Sequence, residues 1–422
     1  MCFEVLPMIE YKQYRLDNGM RVIVREDVST PMVSMNVLYG VGSRDEEENR
    51  TGFAHLFEHL MFGGTKRVPD FDRVVTEVGG ESNAYTSTDS TNYYVTLPSR
   101  YLETGMWLES DRMRLLDFSE RNLRVQKSVV TEEYNYRYKN CPYGDVWLLL
   151  RPLCYKVHPY RWPTIGKDIR DVQEATLEDV ERFFFRYYRP ENAILAVVGT
   201  VKGDKVAQMA EKWFGDIGNG ERRVLAESVL AEPEQREMRL MEVERDVPSD
   251  ALYMAFVMSD RLGADFRTED MLSDLLSNGN SSRLYANLVK GRGMFTELDA
   301  FITNEVDNGL FVVSGKLSEG VSCEEGRAAV WEELERLKRE PVSEYELEKV
   351  KNKFENMFFV NSYKSADCAS QLCMNEWLGH IEWVNEEPKL YRMTTSEDVM
   401  RVARRLFGRE RENVLYYRRR RG

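Results

Sequence analysis

Three side chains within five residues could hold a metal and do chemistry with it. His55 and His59 lie four apart in the stretch 52–62, so on a helix they share a face, and Glu58 falls at the edge of that face. His-x-x-Glu-His is the inverted counterpart of the His-Glu-x-x-His zinc motif. In both, the histidines hold zinc while the intervening Glu handles the proton of a water molecule. A catalytic zinc takes three protein ligands and leaves one position open, so a third side chain must come from elsewhere in the chain. Glu132 and Glu133, on a helix expected over 120–138, are the candidates. Half of the four histidines belong to this one motif.

The elements that position the motif can be read around it. Residues 11–24 form two alternating runs about Asp17-Asn18-Gly19, a tight-turn signal, and 32–39 alternates with a period of two. An antiparallel sheet therefore precedes the metal helix. After it, Gly63-Gly64 stops the helix, 71–78 has helical spacing, and 81–86 with 91–97 forms a second hairpin. Helices are expected over 102–116 and 120–138. Residues 141–172, broken by Pro142, Pro152, Pro159 and Pro163, read as a long irregular loop. A helix over 177–188, a buried strand over 193–199 and a helix over 205–214 follow.

The pattern then restarts. Residues 238–243 and 251–258 read as strands and 266–276 as a helix in the place of the His55 helix. The segment Leu177-Glu178-Asp179-Val180, followed by Arg189-Pro190-Glu191-Asn192, is echoed by Ser396-Glu397-Asp398-Val399, followed by Arg411-Glu412-Asn413. The expected fold is α+β: two tandem homologous units, each a mainly antiparallel sheet packed with helices. The division is 1–217 for a catalytic zinc-binding unit, 218–235 for a linker and 236–422 for a homologous non-catalytic unit. The helix over 266–276 carries no ligand set, so only the first unit has the means for catalysis.

Composition narrows the class. With 71 acidic and 58 basic residues the net charge is −13, which argues against a general nucleic-acid binder. No stretch is apolar for long enough to span a bilayer, and no signal-peptide pattern opens the chain, so no membrane partner and a cytoplasmic location are expected. The six cysteines, Cys2, Cys141, Cys154, Cys323, Cys368 and Cys373, are scattered and read as reduced thiols.

Several motifs in one order resemble the pitrilysin and mitochondrial processing peptidase family, the inverzincin metallopeptidases. They are His55-Leu56-Phe57-Glu58-His59 with Gly63-Gly64-Thr65, then Gly79-Gly80-Glu81-Ser82-Asn83-Ala84-Tyr85-Thr86, and Val129-Val130-Thr131-Glu132-Glu133. His158-Pro159-Tyr160 and Asn280-Ser281-Ser282-Arg283-Leu284-Tyr285 add to them. The resemblance runs through essentially the whole chain and implies a zinc endopeptidase for short or unfolded peptides enclosed in a chamber. It implies that His55, His59 and Glu133 are the metal ligands and Glu58 the general base. It also implies that Asn83 and Ala84 lie on a strand that pairs with an extended substrate, the Asn side chain holding a substrate amide.

The resemblance also marks departures. Many active members carry an Arg and, seven residues later, a Tyr in the second unit, which bind substrate and the oxyanion. Here those positions are Val289 and Thr296, and Gln126 stands where several relatives have an acidic residue. The expectation is therefore a dimer, homo- or heterodimeric, whose partner supplies the missing pair. Otherwise Arg283, Tyr285 or Arg292 replaces it. The competing class is a non-catalytic scaffold or partner subunit of a processing-peptidase-like complex, a role whose members typically lack the zinc residues.

Overall fold

The computed structural model describes residues 8–219 and 230–420. Cys2 and most of the expected linker, residues 220–229, lie outside them. The described chain forms two compact units that interleave in sequence. One takes in 8–134, 163–219 and 357–387; the other takes in 135–162, 230–356 and 388–420.

The first unit is built on six strands, β1 (Lys12–Arg15), β2 (Arg21–Glu26), β3 (Met32–Tyr39), β4 (Glu81–Thr86), β5 (Thr91–Pro98) and β6 (Ala193–Gly199). They are ordered β1-β2-β6-β3-β5-β4, and every neighbouring pair is antiparallel except β2 with β6. All seven residues of β6 are buried, as expected of a strand covered on both faces. One face is covered by the helix Ser365–Trp377, whose Cys368, Ala369, Leu372 and Cys373 pack on Ile23, Leu38, Ile194, Ala196 and Val198. Helices α1 (Phe53–Phe62), α2 (Phe71–Glu77), α3 (Leu102–Arg114) and α4 (Glu120–Tyr134) also belong to this unit. α1 and α2 pack against β4, and α4 packs against α1.

The second unit repeats the plan with β7 (Arg239–Arg245), β8 (Ala251–Val257), β9 (Phe295–Ile302), β10 (Leu310–Leu317) and β11 (Asn413–Arg419). The order is β7-β11-β8-β10-β9, and β7 with β11 is again the one parallel pair. The helix Val146–Cys154 packs on this sheet, with Leu150 and Leu153 set among Ala251, Ala255, Val312 and Leu415. Each sheet is thus covered by a helix from the opposite half of the sequence. The α+β fold of two similar sheet-and-helix units is the architecture expected.

Two elements differ from the sequence reading. The stretch 141–172, expected to be irregular, contains the helix Val146–Cys154. Pro152 sits in its last turn, where a missing N–H removes a single ladder bond. The helix expected to run to residue 138 stops being α-helical at Tyr134 and widens into a π-turn over Asn135–Lys139, with the N–H of Asn140 donating to the Asn135 carbonyl at 2.8 Å. Among the described cysteines none is in a disulfide, and only Cys141 is exposed. Burial pushes the thiols of Cys154, Cys323 and Cys373 up to about 12, which keeps them protonated and inert.

Candidate metal centre

α1 presents its apolar residues Phe53, Ala54, Leu56, Phe57, Leu60 and Met61 to the core and leaves His55, Glu58 and His59 half-buried on the remaining arc. The Phe57 ring stacks on Phe183 and Tyr188 at 4.8 and 5.3 Å, which fixes the helix about its axis. Its start is held by a carboxylate from the preceding loop. Glu46 accepts the backbone N–H groups of Gly52 and Ala54 at 2.9 and 2.8 Å, satisfying donors that the first turn cannot pair itself. Burial pushes the Glu46 carboxyl well above its ordinary range, and the backbone donors pull against that. Gly52 has φ +85° and lies so close to the Ile165 carbonyl that a Cβ would meet it at 2.7 Å. The helix ends as Gly63 donates its N–H to His59 and Leu60.

α4 buries Leu123, Val130 and Tyr134, which turns Glu133 toward α1 and leaves Glu132 exposed. Glu133 Oε2 lies 3.5 Å from His55 Nε2 and 3.3 Å from His59 Nε2, and the two imidazole rings stand nearly perpendicular, 4.8 Å apart. All three donor atoms fall within 4.8 Å of one another. Among the described residues no other group of three or more metal-ligating side chains converges in this way. The donors fit zinc: two imidazole nitrogens and one carboxylate oxygen are the set it takes in catalytic sites. Ligands held tetrahedrally at about 2.0–2.2 Å stand about 3.3–3.6 Å from one another.

Glu58 is held from the sheet. Thr86, the last residue of β4, donates its hydroxyl to Glu58 Oε2 at 2.5 Å. Behind α1 the buried hydroxyls of Tyr93 and Tyr188 lie 3.1 Å apart, and burial raises the pKa of both, so they remain protonated. Asn83 and Ala84 sit on β4, the outer strand of the sheet. The Asn83 side-chain oxygen accepts the Ala84 N–H at 2.8 Å.

In the second unit Val289 lies half-buried in the turn Tyr285–Gly291, and Thr296 is exposed on β9. The two arginines that could replace the expected Arg are engaged by carboxylates. Arg283 makes two bonds to Glu346, at 2.9 and 3.1 Å, and Arg292 one to Glu332 at 2.6 Å. His158 is buried; its Nδ1 accepts from the Tyr160 N–H, and its Nε2 lies 3.3 Å from Asp307. His380 stacks on Trp383. Sequence reasoning overlooked Glu46 and Thr86. Glu46 is one of four consecutive acids in a loop, with no local signal to single it out. Thr86 could have been found from the period-two alternation of β4, which puts it on the same face as Ala84.

Residues 21–146 match the family model described as Insulinase (Peptidase family M16), and 174–354 match the one described as Peptidase M16 inactive domain. The first match contains His55, Glu58, His59 and Glu133; the second contains none of them. Over 402 residues, covering 94% of this chain and 90% of the relative, the chain is 30% identical to the zinc protease PqqE of Helicobacter pylori. The chain belongs to peptidase family M16. It is also 28% identical to the mitochondrial-processing peptidase subunit beta of Caenorhabditis elegans, over 62% of this chain and 55% of that protein. The same fold is seen in the crystal structure of a protease from Helicobacter pylori. That structure has a TM-score of 0.93 and 28% identity, over 97% of this chain and all of the other. No helix among the described residues is long and apolar enough to cross a membrane.

Proposed function

We propose that this chain is a zinc-dependent endopeptidase that hydrolyses short or unfolded peptides, with His55, His59 and Glu133 as metal ligands and Glu58 as general base. The convergence of those three donor atoms on one point, with a carboxylate held beside them, carries the reading. Zinc there supplies a Lewis acid that polarises the scissile carbonyl and acidifies water. Glu58 accepts the proton of the water that attacks the carbonyl carbon, and as the C–N bond breaks it delivers that proton to the departing amine. The open edge of β4 aligns the peptide by strand addition, and Asn83 turns its carboxamide from the Ala84 N–H to a substrate amide.

The chain acts as the zinc-bearing member of a dimer. Val289 and Thr296 offer no cation or phenol at the two positions where the resemblance expects the Arg and Tyr that bind an oxyanion, and Arg283 and Arg292 are engaged by Glu346 and Glu332, which favours a partner that supplies the pair. The test is turnover of a pool of quenched, unstructured peptides by the zinc-loaded chain. Glu58→Gln should keep its zinc and lose nearly all turnover, and Glu133→Ala should lose the zinc. Metal analysis showing zinc retained in Glu133→Ala would move the third ligand elsewhere. Zinc loss in Glu58→Gln would make Glu58 a ligand. A fully active monodisperse monomer would remove the partner.

A further inference from the structure

We infer that Thr86 is the positioning residue of the Glu58 carboxylate, and that through it the strand that aligns the peptide also aims the base. The inference rests on the endopeptidase reading and deepens it. β4 is held in register on β5 along its whole length, from Glu81 opposite Thr96 to Thr86 opposite Thr91. Thr91 is itself anchored by donating its hydroxyl to the Val41 carbonyl at 2.9 Å. Side chains alternate between faces along the strand. Ser82 donates to Asp72 on α2 and Thr86 to Glu58 on α1, whereas Tyr85 turns the other way to Ser370. Ala84 lies on the α1 face with Ser82 and Thr86.

The Thr86 hydroxyl is therefore not a chance neighbour of Glu58. A threonine in a strand has few χ1 choices, so its oxygen is fixed once the strand is paired. Its bond to the Glu58 carboxyl, at 2.5 Å, is at the short end of the O–H···O range. Two residues, about 7 Å of strand, separate Ala84 from Thr86. A peptide added along β4 at Asn83 and Ala84 and the carboxylate that takes the water's proton are thus referred to the same rigid element. Slippage of that strand would misplace both together.

The test compares Thr86→Val, which keeps the shape and removes the hydroxyl, with Thr86→Ser, which keeps the hydroxyl. Both are made in the full chain, in the oligomeric form that turns peptide over. Thr86→Val should bind one zinc per chain, hold KM within about twofold and lose kcat by about 10²-fold, the cost of a misaimed catalytic group. Thr86→Ser should recover most of that loss. In the metal-free chain the drop in thermal midpoint caused by Thr86→Val should vanish in a Glu58→Ala background, because the partner is already gone. Should Thr86→Val not fold, Thr86→Ala carries the same comparison.

Unchanged kcat in Thr86→Val, loss of its zinc, a rise in KM alone, or equal midpoint drops in both backgrounds would each overturn the inference. Glu58→Gln in the same assay separates the two levels. If it is inactive while Thr86→Val is fully active, only the role of Thr86 falls; if it turns over normally, the peptidase reading falls with it.

Discussion

At the scale of single residues, Glu46 shows how much of the proposed metal site lies away from the side chains that would hold the metal. Its two oxygens take the N–H groups of Gly52 and Ala54, one each, and so hold the turn on which His55 stands. Glu46→Ala would leave buried donors without an acceptor, and we expect a loss of about 3 kcal/mol in a denaturant titration, with weaker zinc binding as the turn loosens. Glu46→Gln keeps one acceptor oxygen and should lose less. A Glu46→Ala chain as stable as the wild type would show that the loop around 46–51 can refill the gap. His55 and His59 were legible as candidate ligands because a spacing of four on a helix is a local property, whereas Glu133 was singled out from Glu132 only by the resemblance. Glu46 was not, because its burial depends on how the loop closes over the helix, which no short-range pattern records.

At the scale of elements, the junction of β1, β2 and the helix Gly203–Phe214 depends on one carboxylate. Glu26, at the end of β2, accepts from Lys12 at 2.8 Å, from the Gly203 N–H at 3.0 Å and from Lys202 at 2.9 Å. Lys12 first, then the Gly203 N–H and Lys202, hold its carboxyl down at about 2, against an ordinary 4.5. A carboxyl whose folded pKa is depressed contributes stability that is complete above its unfolded value and is lost as pH falls toward the folded one. The thermal midpoint of Glu26→Gln should therefore lie below that of the wild type at pH 6, and the gap should close between about pH 4.5 and 2. A gap that is constant with pH would assign the effect to packing. The strands of this junction were plain in the sequence, since 11–24 alternates about Asp17-Asn18-Gly19. The helix Val146–Cys154 was hidden by prolines, which mark a break in most contexts but cost little in a last turn.

At the scale of the whole molecule, the restart of the pattern after residue 236 reveals the repeat, and the two sheets do repeat down to the placing of their one parallel pair. The sequence is silent on which helix covers which sheet. The apolar faces of the helices Val146–Cys154 and Ser365–Trp377 look alike on paper, and only tertiary packing assigns each to the sheet of the other half. A chain cut to residues 1–217 would leave Ile23, Leu38, Ile194, Ala196 and Val198 without the helix that buries them. We expect that fragment to bind a hydrophobic dye and to melt without a cooperative transition, and supplying 357–387 by fusion to restore one. A cooperative melt of the bare fragment would contradict this.

The same exchange sets an order of events at the ribosome. The last strand of the first sheet is complete at Gly199, but the helix that covers one of its faces does not begin until Ser365. Translation at about 5–20 residues per second leaves that apolar face waiting on the order of 10 s or more. The first half of the chain is made early and finished late, and in that interval it is a natural client for whatever in the cell shields nascent hydrophobic surface.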